Sequence, residues 1–155
     1  MALFSSTFVN KVDKKGRVSV PAPFRAELVG QTFHGIVAYP SLSEPAIDAS
    51  GIDRMAMLSN RLDAEDPFAA EYDPRADAIF GDSVQLSFDP EGRVMLPEIL
   101  RQHAAIGDQA AFVGRGPTFQ IWEPEAMRRS RAEIRQRARE TITAARRQTD
   151  DRNQG

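Results

Sequence analysis

Phe8-Val9-Asn10-Lys11-Val12-Asp13-Lys14-Lys15-Gly16-Arg17-Val18-Ser19-Val20-Pro21 returns later in the chain as Val84-Gln85-Leu86-Ser87-Phe88-Asp89-Pro90-Glu91-Gly92-Arg93-Val94-Met95-Leu96-Pro97. Asp13/Asp89, Gly16/Gly92, Arg17/Arg93, Pro21/Pro97 and Arg25/Arg101 share one offset of 76, and apolar positions match between them. A repeat at one fixed offset is the mark of a duplicated supersecondary unit. Each copy reads as a β-hairpin followed by a short helix. Asp13-Lys14-Lys15-Gly16 suits a type I turn, in which the aspartate bonds its own backbone and the glycine takes φ > 0. In the second copy, Asp89 and Gly92 keep this chemistry, and Pro90 occupies the second turn position. The structural turn residues are therefore Asp13, Gly16, Asp89 and Gly92. Pro21 and Pro97 end the β-rich runs Val18–Val20 and Val94–Leu96 and open helices predicted at 22–29 and 98–105.

A second strand pair is expected in each copy, at 35–39 and 46–48 and again at 110–114 and 119–122. Helices are expected at about 51–62, 68–80 and 124–147, with a disordered polar tail at 148–155. The organisation expected is a first repeat at 5–66, a connecting helix at 67–82 and a second repeat at 83–147.

The 155 residues carry 20 basic and 22 acidic side chains, a net charge of −2 that argues at first against a nucleic-acid partner. The average conceals a layout. Residues 1–30 hold five bases and two acids, and 31–82 hold three bases and ten acids. Residues 125–155 hold nine arginines and five acids. All three lysines, Lys11, Lys14 and Lys15, fall on or beside the first turn. That cluster is either a solvated turn or a phosphate-contacting loop.

Arg17 and Arg93 each follow the glycine that closes a tight turn. A guanidinium held there can fork onto a phosphate or onto the O6/N7 edge of guanine. The bland alternative is an Arg–Asp bridge within the turn, and the two are compatible if the aspartate orients the arginine. Glu91, in the place of Lys15, should weaken the second copy on DNA. The C-terminal arginine-rich helix reads as a surface helix, with auxiliary DNA or subunit contact as the sharper options.

Catalysis finds no support. His34 and His103 stand apart, Asp63, Glu65 and Asp66 lack the spacing of a calcium loop, and Gly114-Arg115-Gly116 lacks Walker or Rossmann surroundings. There is no Gly-x-Ser-x-Gly elbow and no cysteine. No cofactor, metal or small-molecule substrate is expected. No apolar run approaches the ~18 residues that span a bilayer, and the first residues do not read as a secretory signal.

The doubled Asp-x-x-Gly-Arg hairpin, with Pro and a short helix after each, resembles the MraZ family, transcriptional regulators of the bacterial division and cell wall cluster. So do Val94–Ala104, Phe8-Val9-Asn10 and Gln120-Ile121-Trp122-Glu123. The resemblance covers about residues 1–145. It implies an α+β fold with two AbrB-like swapped-hairpin halves forming a β-barrel of pseudo-two-fold symmetry, flanked by helices. It further implies a homo-oligomeric ring that binds direct repeats in promoter DNA, usually as a repressor, in the cytoplasm at the nucleoid. The family's DNA-contacting arginine and lysine fall on Arg17 and Lys15, and the second-copy arginine falls on Arg93. Charge and position add Lys14 and Lys11. The alternative from another class is an AbrB-like protein-interaction module such as an antitoxin.

Overall fold

The computed structural model describes residues 2–65 and 73–154. Among the described residues the elements follow in order: β1 (Thr7–Lys11), β2 (Arg17–Ser19), α1 (Ala22–Glu27), β3 (Gly35–Pro40), β4 (Ile47–Ser50), α2 (Ile52–Glu65), α3 (Pro74–Gly81), β5 (Val84–Ser87), β6 (Arg93–Met95), α4 (Glu98–His103), β7 (Gln109–Gly114), β8 (Phe119–Trp122) and α5 (Pro124–Gln154). The fold is α+β, and every strand pairing in it is antiparallel.

Six strands form one sheet in the order β1-β7-β8-β4-β3-β5, and β2 pairs with β6 in a separate two-stranded ribbon. The first strand of each copy therefore lies on the third strand of the other. Thr7 pairs with Val113 at one edge, and Gly35 pairs with Ser87 at the other. The two fourth strands meet in the middle, where Asp48 lies across from Gln120.

Two expectations change here. The described strands do not close into a barrel, because β1 and β5 remain edges. At each edge the chain turns away into the ribbon, so the ladder ends there. The predicted local hairpins also open. Beyond the single bridge Val12↔Val18, β1 and β2 part company. β2 spends its other edge on β6, with Arg17↔Met95, Val18↔Val94 and Ser19↔Arg93 as partners.

The core draws on both copies. Val18, Val20, Ile36, Ile47, Val94, Leu96, Leu100 and Ile121 are all buried. Phe24 of α1 stands edge-on to Phe4 at 5.3 Å and lies 5.0 Å from Phe119 between ring centroids. Burying a large apolar side chain contributes about 1.5–3 kcal/mol. The second copy puts Leu100 where the first has Phe24, so the aromatic cluster is one-sided.

Local differences have local causes. α1 ends at Glu27, two residues before the predicted end, and α4 ends at His103, ahead of a left-handed Ala105. Of the helix predicted at 68–80, the described part begins at Pro74. Asp73 caps it by accepting the Arg75 N–H at 2.9 Å, and proline suits the first helical turn. The remainder of that stretch, with Asp66 and the 66/67 boundary, lies outside the described residues.

Residues 2–124 make one compact unit, and residues 125–154 of α5 make a second. The tail expected to be disordered is helical to Gln154. Nothing between Glu125 and Gln154 is Gly or Pro, and Arg, Gln and Ala favour the helix. The Thr149 hydroxyl donates back to the Ala145 carbonyl at 3.1 Å. Ile142 is 53% exposed, in keeping with the surface helix expected here.

Candidate nucleic-acid interface

The sequence at each tip builds its turn in the same way. Gly16 N–H donates to Asp13 O at 3.0 Å, and Gly92 N–H donates to Asp89 O at 3.0 Å. Gly16 and Gly92 hold φ of 85° and 77°, a region where a side chain is penalised.

Asp13 organises the first tip. Its Oδ1 accepts the backbone N–H groups of Lys15 and Arg17, both at 2.9 Å. Its Oδ2 accepts Arg17 Nε at 2.6 Å. The Arg17 backbone N–H, then the Arg17 side chain and the Lys15 N–H, hold the Asp13 carboxyl below the usual carboxylate range despite opposing desolvation. Asp89 repeats the pattern with Glu91 N–H, Arg93 N–H and Arg93 Nε at 2.9, 2.9 and 2.8 Å. Its carboxyl is held low too, with the Arg93 backbone N–H as the largest cause. The bridge and the orienting role weighed for each aspartate thus coexist in one geometry.

The tips then diverge. Arg93 Nη2 also meets Glu91 Oε2 at 3.5 Å, and Asp89 with Glu91 favours the charged arginine. Arg17 takes part in no ion pair beyond Asp13 among the described residues. Lys14 and Lys15 are exposed at the two middle positions of the first turn, and Lys11 is exposed at the end of β1. The first tip is thus a cationic loop around a half-exposed guanidinium. The second is a paired and partly neutralised counterpart.

Each tip is also braced by the other copy. Leu96 N–H donates to Gly16 O at 2.9 Å, and Val20 N–H donates to Gly92 O at 3.2 Å. Arg25 and Arg101 donate from Nε to Val20 O and Leu96 O, both at 3.0 Å. A Cβ on Gly16 would sit 3.0 Å from Leu96 O, and one on Gly92 would sit 2.5 Å from Arg25 Nη1. Arg25 and Arg101 thus lie behind the tips. Their shared offset pointed to some duplicated role, but the nature of that role needed the fold.

The two histidines stand apart from each other, His34 beside the second tip and His103 on α4. His34 packs edge-on to Phe88, and His103 Nε2 lies 3.3 Å from Glu44 O. Among the described residues no group of three His, Asp or Glu could hold a metal ion. No described helix is long and apolar enough to cross a membrane.

A protein of Rickettsia bellii (strain OSU 85-389), "Transcriptional regulator MraZ", is 51% identical over 126 residues, which are 81% of this chain and 84% of the relative. The chain belongs to the MraZ family. Relatives of the same name in Rickettsia canadensis (strain McKiel) and Rickettsia akari (strain Hartford) are 50% and 49% identical, each over 125 residues. Each match takes in 81% of this chain and 84% of the relative. The MraZ family model, described as "MraZ protein, putative antitoxin-like", matches residues 79–151. The resemblance read from the doubled hairpin is borne out at the level of the family.

Proposed function

We propose that this chain is a sequence-specific DNA-binding transcriptional regulator that engages promoter DNA through its Gly-Arg tips. The observation that carries the reading is Arg17, fixed through Nε by Asp13 and flanked by exposed Lys14 and Lys15. A pre-oriented guanidinium suits bidentate contact with guanine or phosphate, and flexible lysines suit phosphate charge. Arg17 reads or grips, Lys15, Lys14 and Lys11 neutralise backbone, and Arg93 is the weaker second contact. Asp13, Gly16, Asp89 and Gly92 shape the tips.

The relatives' name, "Transcriptional regulator MraZ", supports the same reading. Within it, the chain represses its own division and cell wall cluster by binding direct repeats, in the cytoplasm at the nucleoid. No catalytic step is part of the reading. The exchange of first strands between copies supports an AbrB-like swapped-hairpin origin with pseudo-two-fold symmetry. Repeats 5–66 and 83–147 are its halves, and 67–82 is the connection. Several subunits assembled as a ring would engage spaced repeats together, gaining by effective concentration where one tip offers few contacts.

The test is a gel shift with duplex DNA from upstream of the protein's own gene. Folded Arg17→Ala protein loses the specific complex, and an unchanged shift refutes the reading. The family description "antitoxin-like" favours one other reading, capture of a small protein partner. Stoichiometric co-purification of such a partner, with no upstream DNA bound, would decide for it.

A further inference from the structure

The ribbon presents a sixth candidate contact that the tips do not include. Val18 and Val94 pair across it and are buried at 0% and 1% exposure. Alternation along a strand puts Arg17, Ser19, Arg93 and Met95 on the opposite, outward face. Met95 is the one large apolar side chain on that face, and it is 54% exposed. It lies directly across from Arg17, whose Nε is already tied to Asp13.

A two-stranded ribbon fits the major groove of B-DNA. The groove offers one apolar feature, the C5-methyl of thymine. A methionine is flexible and polarisable enough to pack on it. The position equivalent to Met95 in the first copy is Ser19, which faces Arg93. One end of the ribbon therefore pairs an arginine bridged to a single carboxylate with an apolar reader, and the other pairs an arginine bridged to two carboxylates with a hydroxyl.

We propose that Met95 is a specificity-determining residue that packs on a thymine methyl beside the base pair gripped by Arg17. This rests on the DNA-binding reading above. It gives each subunit a polarity along the duplex, because the two ends of its ribbon read different chemistry.

The test uses the upstream duplex in two forms, one made with thymine and one amplified with dUTP in its place, which removes every C5-methyl. Wild type should bind the uracil duplex more weakly, by about fourfold per contacted methyl. Met95→Ala should bind the thymine duplex more weakly by a similar factor and bind both duplexes alike. Met95→Leu should keep the methyl dependence. The inference is overturned if wild type ignores the substitution, or if Met95→Ala remains as methyl-sensitive as wild type. It is also overturned if Met95→Ala changes only the subunit number by light scattering, which makes Met95 an interface between copies. Wild type that binds neither duplex refutes the DNA-binding reading itself. Loss of binding in Arg17→Ala alongside methyl-sensitive Met95→Ala refutes the Met95 role alone.

Discussion

Glu91→Lys turns the second tip into a near copy of the first, and the outcome can be worked from the ion pair it breaks. Glu91 is 72% exposed, and its Oε2 sits 3.5 Å from Arg93 Nη2. So exposed a pair contributes little to folding, and the turn retains its Asp89 hydrogen bonds. The substitution releases Arg93 Nη2 and places an ammonium where the first tip has Lys15. Each added phosphate contact steepens the salt dependence of binding by about 0.9 log unit per log unit, which is roughly eightfold between 1 M and 0.1 M salt. If the new lysine alone reaches phosphate, affinity at 0.1 M rises by that factor. If Arg93 joins it, the slope steepens by about 1.8 and the gain approaches roughly 60-fold. Glu91→Gln removes the carboxylate without supplying an ammonium, so it separates the loss of the Glu91 charge, with the release of Arg93, from the new lysine's phosphate contact. The assay is fluorescence anisotropy with the upstream duplex over a salt series, at fixed protein preparation. A folded Glu91→Lys protein with the wild-type slope would show that the second tip does not approach DNA.

Two further outcomes concern stability. Gly16→Ala places a side chain at φ 85° and within 3.0 Å of the Leu96 carbonyl. The left-handed conformation alone costs about 1–2 kcal/mol, so thermal unfolding should drop by about 2–8 °C in calorimetry. Asp48→Asn addresses the middle of the sheet, where Gln120 Nε2 donates to Asp48 at 2.6 Å and Gln120 Oε1 accepts from Trp122 Nε1 at 2.8 Å. Burial raises the Asp48 carboxyl above its ordinary value, against the Gln120 hydrogen bond and the Arg115 charge. A raised folded-state pKa gives stability that is full in acid and is lost as pH climbs through it. An amide has no proton to lose, so Asp48→Asn should match wild type at low pH and unfold at higher temperature near neutrality. Equal Tm at both pH values would show that the carboxylate is not penalised there.

The turns were legible because their chemistry is local. Asp, Gly and Arg within five positions specify a bond pattern that needs no distant partner, and both copies form it. Family membership followed from the same residues. The strand partners were not legible in that way. Thr7 belongs opposite Val113, and nothing near either residue says so. The hairpin reading assumed that neighbours in sequence pair, and that assumption fails beyond the bridge at Val12 and Val18. Asp73-Pro74 is a local helix-start signal that the reading of one helix over 68–80 passed over. Met95 went unread for a different reason: a methionine in a β-rich run looks like core until its neighbour Val94 is seen to point inward.

The crossed ribbon has a consequence for synthesis of the chain. β2 emerges from the ribosome long before Arg93–Met95 exist to pair with it, and β1 waits longer still for Gln109–Gly114. An unpaired strand is a template for the wrong partner. During translation the nascent chain therefore carries two open edges through most of its length, a window in which chaperones or a second nascent copy can occupy them. Contacts this distant in sequence also slow folding. The architecture that couples the two tips in the finished protein thus postpones its own completion until nearly the last strand has been made.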